Sequence, residues 1–129
     1  MVKVMIPHLM ILKLPFILPE RRVILIEITP EELKAKLDRG EKMVLIDVRE
    51  PDEHAICRIK EAKLIPIKNL PSYIDELNPK DFIVFYCHYG IRSAQVALWF
   101  ERNGFKNVKS LAGGIDAWAE TIDPSTERY

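Results

Sequence analysis

The residue types best suited to chemistry fall in one run, Cys87-His88-Tyr89-Gly90-Ile91-Arg92-Ser93. Cysteine supplies a sulfur nucleophile. Glycine three positions later lets a short loop close without a Cβ clash. Arginine brings a permanent positive charge, and the serine beside it can cap a helix. Together they suit a site that holds an anionic sulfur.

Two elements must position that loop. Residues 82–86 (Phe-Ile-Val-Phe-Tyr) form a β-branched and aromatic run that reads as a strand buried on both faces. Residues 93–100 form a helical run that closes at Asn103-Gly104. The cysteine therefore stands where a strand ends, a tight loop follows, and a helix begins. Backbone N–H groups converge at such a turn, the helix dipole reinforces them, and a sulfur anion placed there is stabilised. A cysteine ending a buried strand can equally be a small core residue. That reading leaves the glycine, arginine and serine unexplained.

The loop resembles the active-site loop of the rhodanese (sulfurtransferase) family: Cys, a polar or basic residue, a variable one, Gly, a variable one, Arg, then Ser or Thr. Cys87, Gly90, Arg92 and Ser93 match, and His88 stands where Arg or Lys is common. Cysteine-dependent phosphatases resemble the loop too, but they place five residues between Cys and Arg. The four residues here favour sulfur over a phosphoryl group. Leu45-Ile46-Asp47-Val48-Arg49-Glu50 is similar to the family's first signature, and Leu111-Ala112-Gly113-Gly114-Ile115-Asp116-Ala117-Trp118 to its last. The resemblance runs from about residue 23 to residue 121. It departs at Cys57-Arg58-Ile59-Lys60-Glu61-Ala62, where the family usually has Gly-His-Ile and then Pro-Gly-Ala. Glu61 in place of that glycine removes the ready access to positive φ, so a different local turn is expected.

What the resemblance implies is a thiosulfate sulfurtransferase of the rhodanese type. Cys87 would take a sulfane sulfur from thiosulfate or a similar small donor as a persulfide. It would pass that sulfur to a thiol, cyanide or protein acceptor. His88, Tyr89, Gly90, Ile91, Arg92 and Ser93 would form the substrate-binding loop. No cofactor and no metal are called for. A small cysteine-dependent phosphatase, an arsenate reductase and a non-catalytic rhodanese-like binding module are the rival readings. The first two use the same thiolate, and the intact Cys87 speaks against the third.

The remaining residues frame this site. With 19 basic and 19 acidic residues the formal charge is zero, and no basic block marks a nucleic-acid partner. The 129 residues make one domain with a real core. Cys57 and Cys87 allow one disulfide on counting alone. One reactive cysteine and no secretory pattern point instead to a reducing compartment, the cytoplasm. Residues 1–22 are strongly apolar but interrupted by Lys3, Pro7, His8, Lys13 and Pro15, too often for a membrane span. They also lack the small residues of a signal cleavage site. They read as an extension that docks on the domain or on a second subunit, which would make a homodimer.

Along the chain, residues 23–28 read as a first strand. Thr29-Pro30-Glu31-Glu32 spells a capped helix start, and that helix ends at Gly40. Strands follow at 43–48 and 64–66, with a short helix after Pro51. A helix over 70–77 is capped by Asn69; after the central strand and helix, a strand at 108–111 turns into a helix over 115–120. Asp47 and Arg49 read as framework, with Arg49 and Glu53 spaced to pair along a helix. Trp99, Phe100 and Trp118 read as core; His8, His54 and Cys57 have no ligand-spaced neighbours. Alternating strands and helices give an α/β fold: a central parallel sheet with helices on both faces and its ligand site at the strands' C-terminal ends. The expected organisation is extension 1–22, rhodanese-like domain 23–122 and a polar, frayed tail 123–129.

Overall fold

The computed structural model describes residues 25–129, so the expectation for the extension lies outside the described residues. Five strands make one parallel sheet: β1 (Glu27–Ile28), β2 (Val44–Asp47), β3 (Lys63–Leu64), β4 (Ile83–Tyr86) and β5 (Val108–Leu111), in the order β1-β5-β4-β2-β3. Parallel neighbours need crossovers. The helices that supply them or flank them are α1 (Pro30–Asp38), α2 (Pro51–Ile56), α3 (Leu70–Tyr73), α4 (Ile91–Arg102) and α5 (Gly114–Thr121). Register pairs Asp47 with both Tyr86 and Leu64, and Ile28 with Leu111. All five strands thus finish along one edge, and the loops above that edge meet.

Side-chain alternation divides the core in two. Ile46, Ile83, Phe85 and Val108 face α3 and α4, while Leu45, Val84, Tyr86 and Leu111 face α1 and α5. Every residue of β4 is buried, as its uninterrupted apolar run requires. Phe100 of α4 is the aromatic hub, with ring centres 4.7 Å from Phe85, 5.1 Å from Trp99 and 4.9 Å from Phe105. Trp118 is buried on the opposite face, so all three rings read as core are core.

The capping box at α1 forms as its spelling predicts: Thr29 Oγ1 accepts from Glu32 N, and Glu32 Oε1 accepts from Thr29 N, both at 3.1 Å. Two elements depart from expectation. Leu25 and Ile26 are helical, leaving only Glu27–Ile28 as strand. A short apolar run does not by itself separate a buried strand from a buried helical turn. The expected helix over 70–77 is one α turn flanked by 3-10 turns at Ile67–Asn69 and Ile74–Glu76. Asn69 is itself helical, in the first of these turns, and so lacks the extended backbone a capping residue needs.

Candidate active site

Cys87 follows β4 directly and is 3% exposed. Its sulfur accepts hydrogen bonds from Gly90 N at 3.1 Å and Ser93 N at 3.4 Å. Gly90, with φ +90°, is the N-cap of α4, and Ser93 is the third residue of that helix. The first N–H groups of a helix have no partner within it, and an N-cap side chain usually serves one of them. Glycine has no side chain to offer, so the sulfur takes that place at the positive end of the α4 dipole. Ser93 therefore does not cap the helix as expected. Its hydroxyl lies 3.4 Å from the sulfur, with the thiol donating, and 2.8 Å from the hydroxyl of Ser110. Both serines are fully buried. Ser110 was not among the sequence candidates; its one signal is a small hydroxyl residue at an inward position of an otherwise apolar strand end.

The loop is held from below by α5. Ile115 N donates to Cys87 O at 2.9 Å and Asp116 N to His88 O at 3.1 Å. That approach is possible only because Gly114, at φ +62°, has no side chain: a Cβ there would lie 2.4 Å from His88 O. The third signature is thus a cradle for the second. Around the loop, Tyr89 and Ile91 are exposed, at 56% and 71%. Arg92 is half-buried and has no hydrogen-bond or ion-pair partner among the described residues.

At the adjacent end of β2, Arg49 is fully buried and clasps Asp47 with two nitrogens, Nε–Oδ1 at 2.9 Å and Nη2–Oδ2 at 2.7 Å. Nη2 also reaches Cys57 O at 2.5 Å, and Nη1 lies 3.7 Å from the Cys57 sulfur. Burial works against the guanidinium charge, but its hydrogen bonds to Asp47 and Tyr129 outweigh this and hold Arg49 above its ordinary range. The framework role expected of Asp47 and Arg49 fits this geometry. The expected Arg49–Glu53 pair does not form directly. Instead the Tyr129 hydroxyl bridges them, accepting from Arg49 Nη1 and donating to Glu53 Oε2, each at 2.8 Å. His54, read as lone, has its Nδ1 2.8 Å from Asp47 Oδ2. Arg58 is exposed, bonds the His54 carbonyl and borders a groove with Lys34 and Trp118, away from the cysteine loop. Both cysteines are free.

The tail is not frayed. Asp123 O accepts from Thr126 N in a turn, Asp123 Oδ1 accepts from Ser125, and Arg128 grips Asp116 with two bonds of 3.0 Å. These contacts return Tyr129 to the loop, where its ring stacks on His88 at 3.9 Å.

The family model described as "Rhodanese-like domain" matches residues 29–121. The chain belongs to the rhodanese-like family. It is 36% identical over 98 residues to the putative sulfurtransferase YtwF of Bacillus subtilis, covering 76% of this chain and 94% of that one. To the probable adenylyltransferase/sulfurtransferase MoeZ of Mycobacterium tuberculosis it is 40% identical over 104 residues, or 79% of this chain. It spans only 26% of MoeZ. Among solved structures, a rhodanese-like domain protein from Staphylococcus aureus superposes with TM-score 0.66 at 33% identity, covering 80% of this chain and 97% of that chain. The chain thus has a rhodanese-like fold, a central parallel sheet with helices on both faces, like that solved structure. No helix among the described residues is long and apolar enough to cross a membrane.

Proposed function

We propose that the protein is a rhodanese-type sulfurtransferase that carries sulfur as a persulfide on Cys87. The observation that carries this reading is the buried Cys87 sulfur receiving the amides of Gly90 and Ser93 at the N-terminus of α4. The thiolate attacks the outer sulfur of thiosulfate. A new S–S bond forms, the old one breaks, and sulfite leaves with the bonding pair. An acceptor nucleophile then attacks the terminal sulfur: cyanide leaves as thiocyanate, or a small or protein thiol leaves as a persulfide, and the Cys87 thiolate returns. Two displacements replace one difficult transfer, with no outside oxidant or reductant.

The loop's residues divide the work. The amides of Gly90 and Ser93 stabilise the anion on either sulfur, and their fixed dipoles need no reorganisation during reaction. The Ser93 hydroxyl accepts from the thiol and, by rotating about its C–O bond, donates to the thiolate while Ser110 donates to it in turn. Arg92 draws in the anionic donor. His88 and Tyr89 form a wall beside the sulfur, and Ile91 forms the exposed rim. The cytoplasm, with its reduced thiols, suits this cycle.

Mass spectrometry after thiosulfate treatment tests the proposal: a sulfur adduct of about 32 Da on the peptide containing Cys87, removed by cyanide, is expected. An unmodified Cys87 would leave the non-catalytic binding module. Efficient hydrolysis of an aryl phosphate would favour the phosphatase reading despite the four-residue spacing.

A further inference from the structure

His88, the residue after the candidate nucleophile, lies between two rings. Tyr89 stacks on it at 3.9 Å and 20°, and Tyr129 at 3.9 Å and 13°. Two rings so close and so nearly parallel to the same imidazole must occupy its opposite faces. Tyr89 belongs to the loop itself. Tyr129 does not: its hydroxyl is fixed between Arg49 and Glu53, and the preceding Arg128 is fastened to Asp116. Burial raises the Tyr129 phenol, so the hydroxyl keeps the proton it donates to Glu53.

The backbone beneath His88 is already held by α5 through the Cys87 and His88 carbonyls. What Tyr129 adds is restraint on the imidazole itself. The His88 Nε2 atom is buried and has no hydrogen-bond partner among the described residues. Buried polar atoms are nearly always paired, and exceptions gather where a reactant supplies the missing partner. A ring fixed in advance also spares a reactant the entropy of ordering it.

We propose that Tyr129 is a positioning residue for the reaction at Cys87: it clamps the His88 imidazole so that Nε2 meets the incoming sulfur donor or acceptor. The proposal rests on Cys87 being the reacting group.

A double-mutant cycle tests it, measured on the full chain with thiosulfate and cyanide and, independently, on alkylation of Cys87 by iodoacetamide. In the wild-type background, Tyr129→Ala should lower kcat/KM for transfer roughly tenfold. In the His88→Ala background the same change should cost less than about twofold, because the residue it acts through is gone. Tyr129→Phe keeps the ring but loses its anchor on Arg49 and Glu53, leaving only the neighbouring Arg128–Asp116 bonds, and should recover part of the loss. In NMR spectra, Tyr129→Ala should remove part of the upfield ring-current shift of the His88 imidazole protons. If Tyr129→Ala proves unfolded, Tyr129→Leu, which keeps apolar cover but no ring plane, replaces it in the cycle. Equal losses in both backgrounds, or none in either, would overturn the proposal. A wild type inert to thiosulfate, whose alkylation still shows the His88–Tyr129 coupling, would defeat the sulfurtransferase reading and leave the clamp standing.

Discussion

The ends of β2 and β4 lie side by side in the sheet, with Asp47 in register with Tyr86, yet they are finished in opposite ways. At the end of β2 every charge is matched. Arg49 and Asp47 are both fully buried; Cys57, His54 and Tyr129 take up their remaining bonds, and Glu53 accepts from Tyr129. At the end of β4 the compensation is left incomplete: donors converge on a sulfur, and among the described residues Arg92 has no anion and His88 Nε2 no partner. A buried ion pair with all its bonds satisfied holds a shape. A half-circle of donors around one polarisable atom invites a reactant. The difference lies in which partners were supplied, since strand, burial and register are alike.

Removing the sulfur should break the comparison most sharply. Cys87→Ser should lower thiosulfate:cyanide transfer by at least ~10³-fold while the protein stays folded. Cys57→Ser should retain most activity, and comparable losses would indicate a two-cysteine relay. At the other strand end the expected effect is on stability. Arg49→Met leaves Asp47 buried without its counter-ion and should cost about 3–5 kcal/mol, read as a fall in the denaturation midpoint. A stable variant would show that His54 and the backbone suffice for Asp47. Gly114→Ala forces a Cβ against the His88 carbonyl at a positive φ and should displace the loop, lowering transfer roughly 10²-fold. Smallest is Arg92→Ala: with no structural partner to lose, it should leave the melting temperature near that of the wild type. Its cost should be about tenfold, mainly in the KM for thiosulfate, and the variant should depend less on ionic strength.

Much of this contrast was legible in the sequence because it is local. Strand, loop, glycine, arginine and helix are consecutive, so spacing alone places the sulfur at a helix start. The capping box at Thr29 and the glycines at 113 and 114 are likewise short-range signals. What escaped depends on distant partners. Ser110 meets Ser93 only because β5 pairs with β4. Arg49 and Glu53 have the spacing of a helical ion pair, but Arg49 precedes α2 and turns inward to Asp47. The tail reads as polar and loose, since nothing local reveals that Arg128 will find Asp116 or that Tyr129 will find His88. Composition describes what a segment lacks, whereas docking is decided by what it lands on.

The two bonds from α5 to the cysteine loop also settle which end of each peptide dipole faces the sulfur. A trans peptide unit carries its oxygen and its hydrogen on opposite sides. With the Cys87 and His88 oxygens engaged by Ile115 and Asp116, both peptide planes are fixed with their negative ends turned towards α5. Rotation of either plane would aim lone pairs at the space where sulfur charge develops, and repulsion would replace attraction. Gly114, the first residue of α5, therefore governs the polarity of a loop to which it contributes no atom of its own.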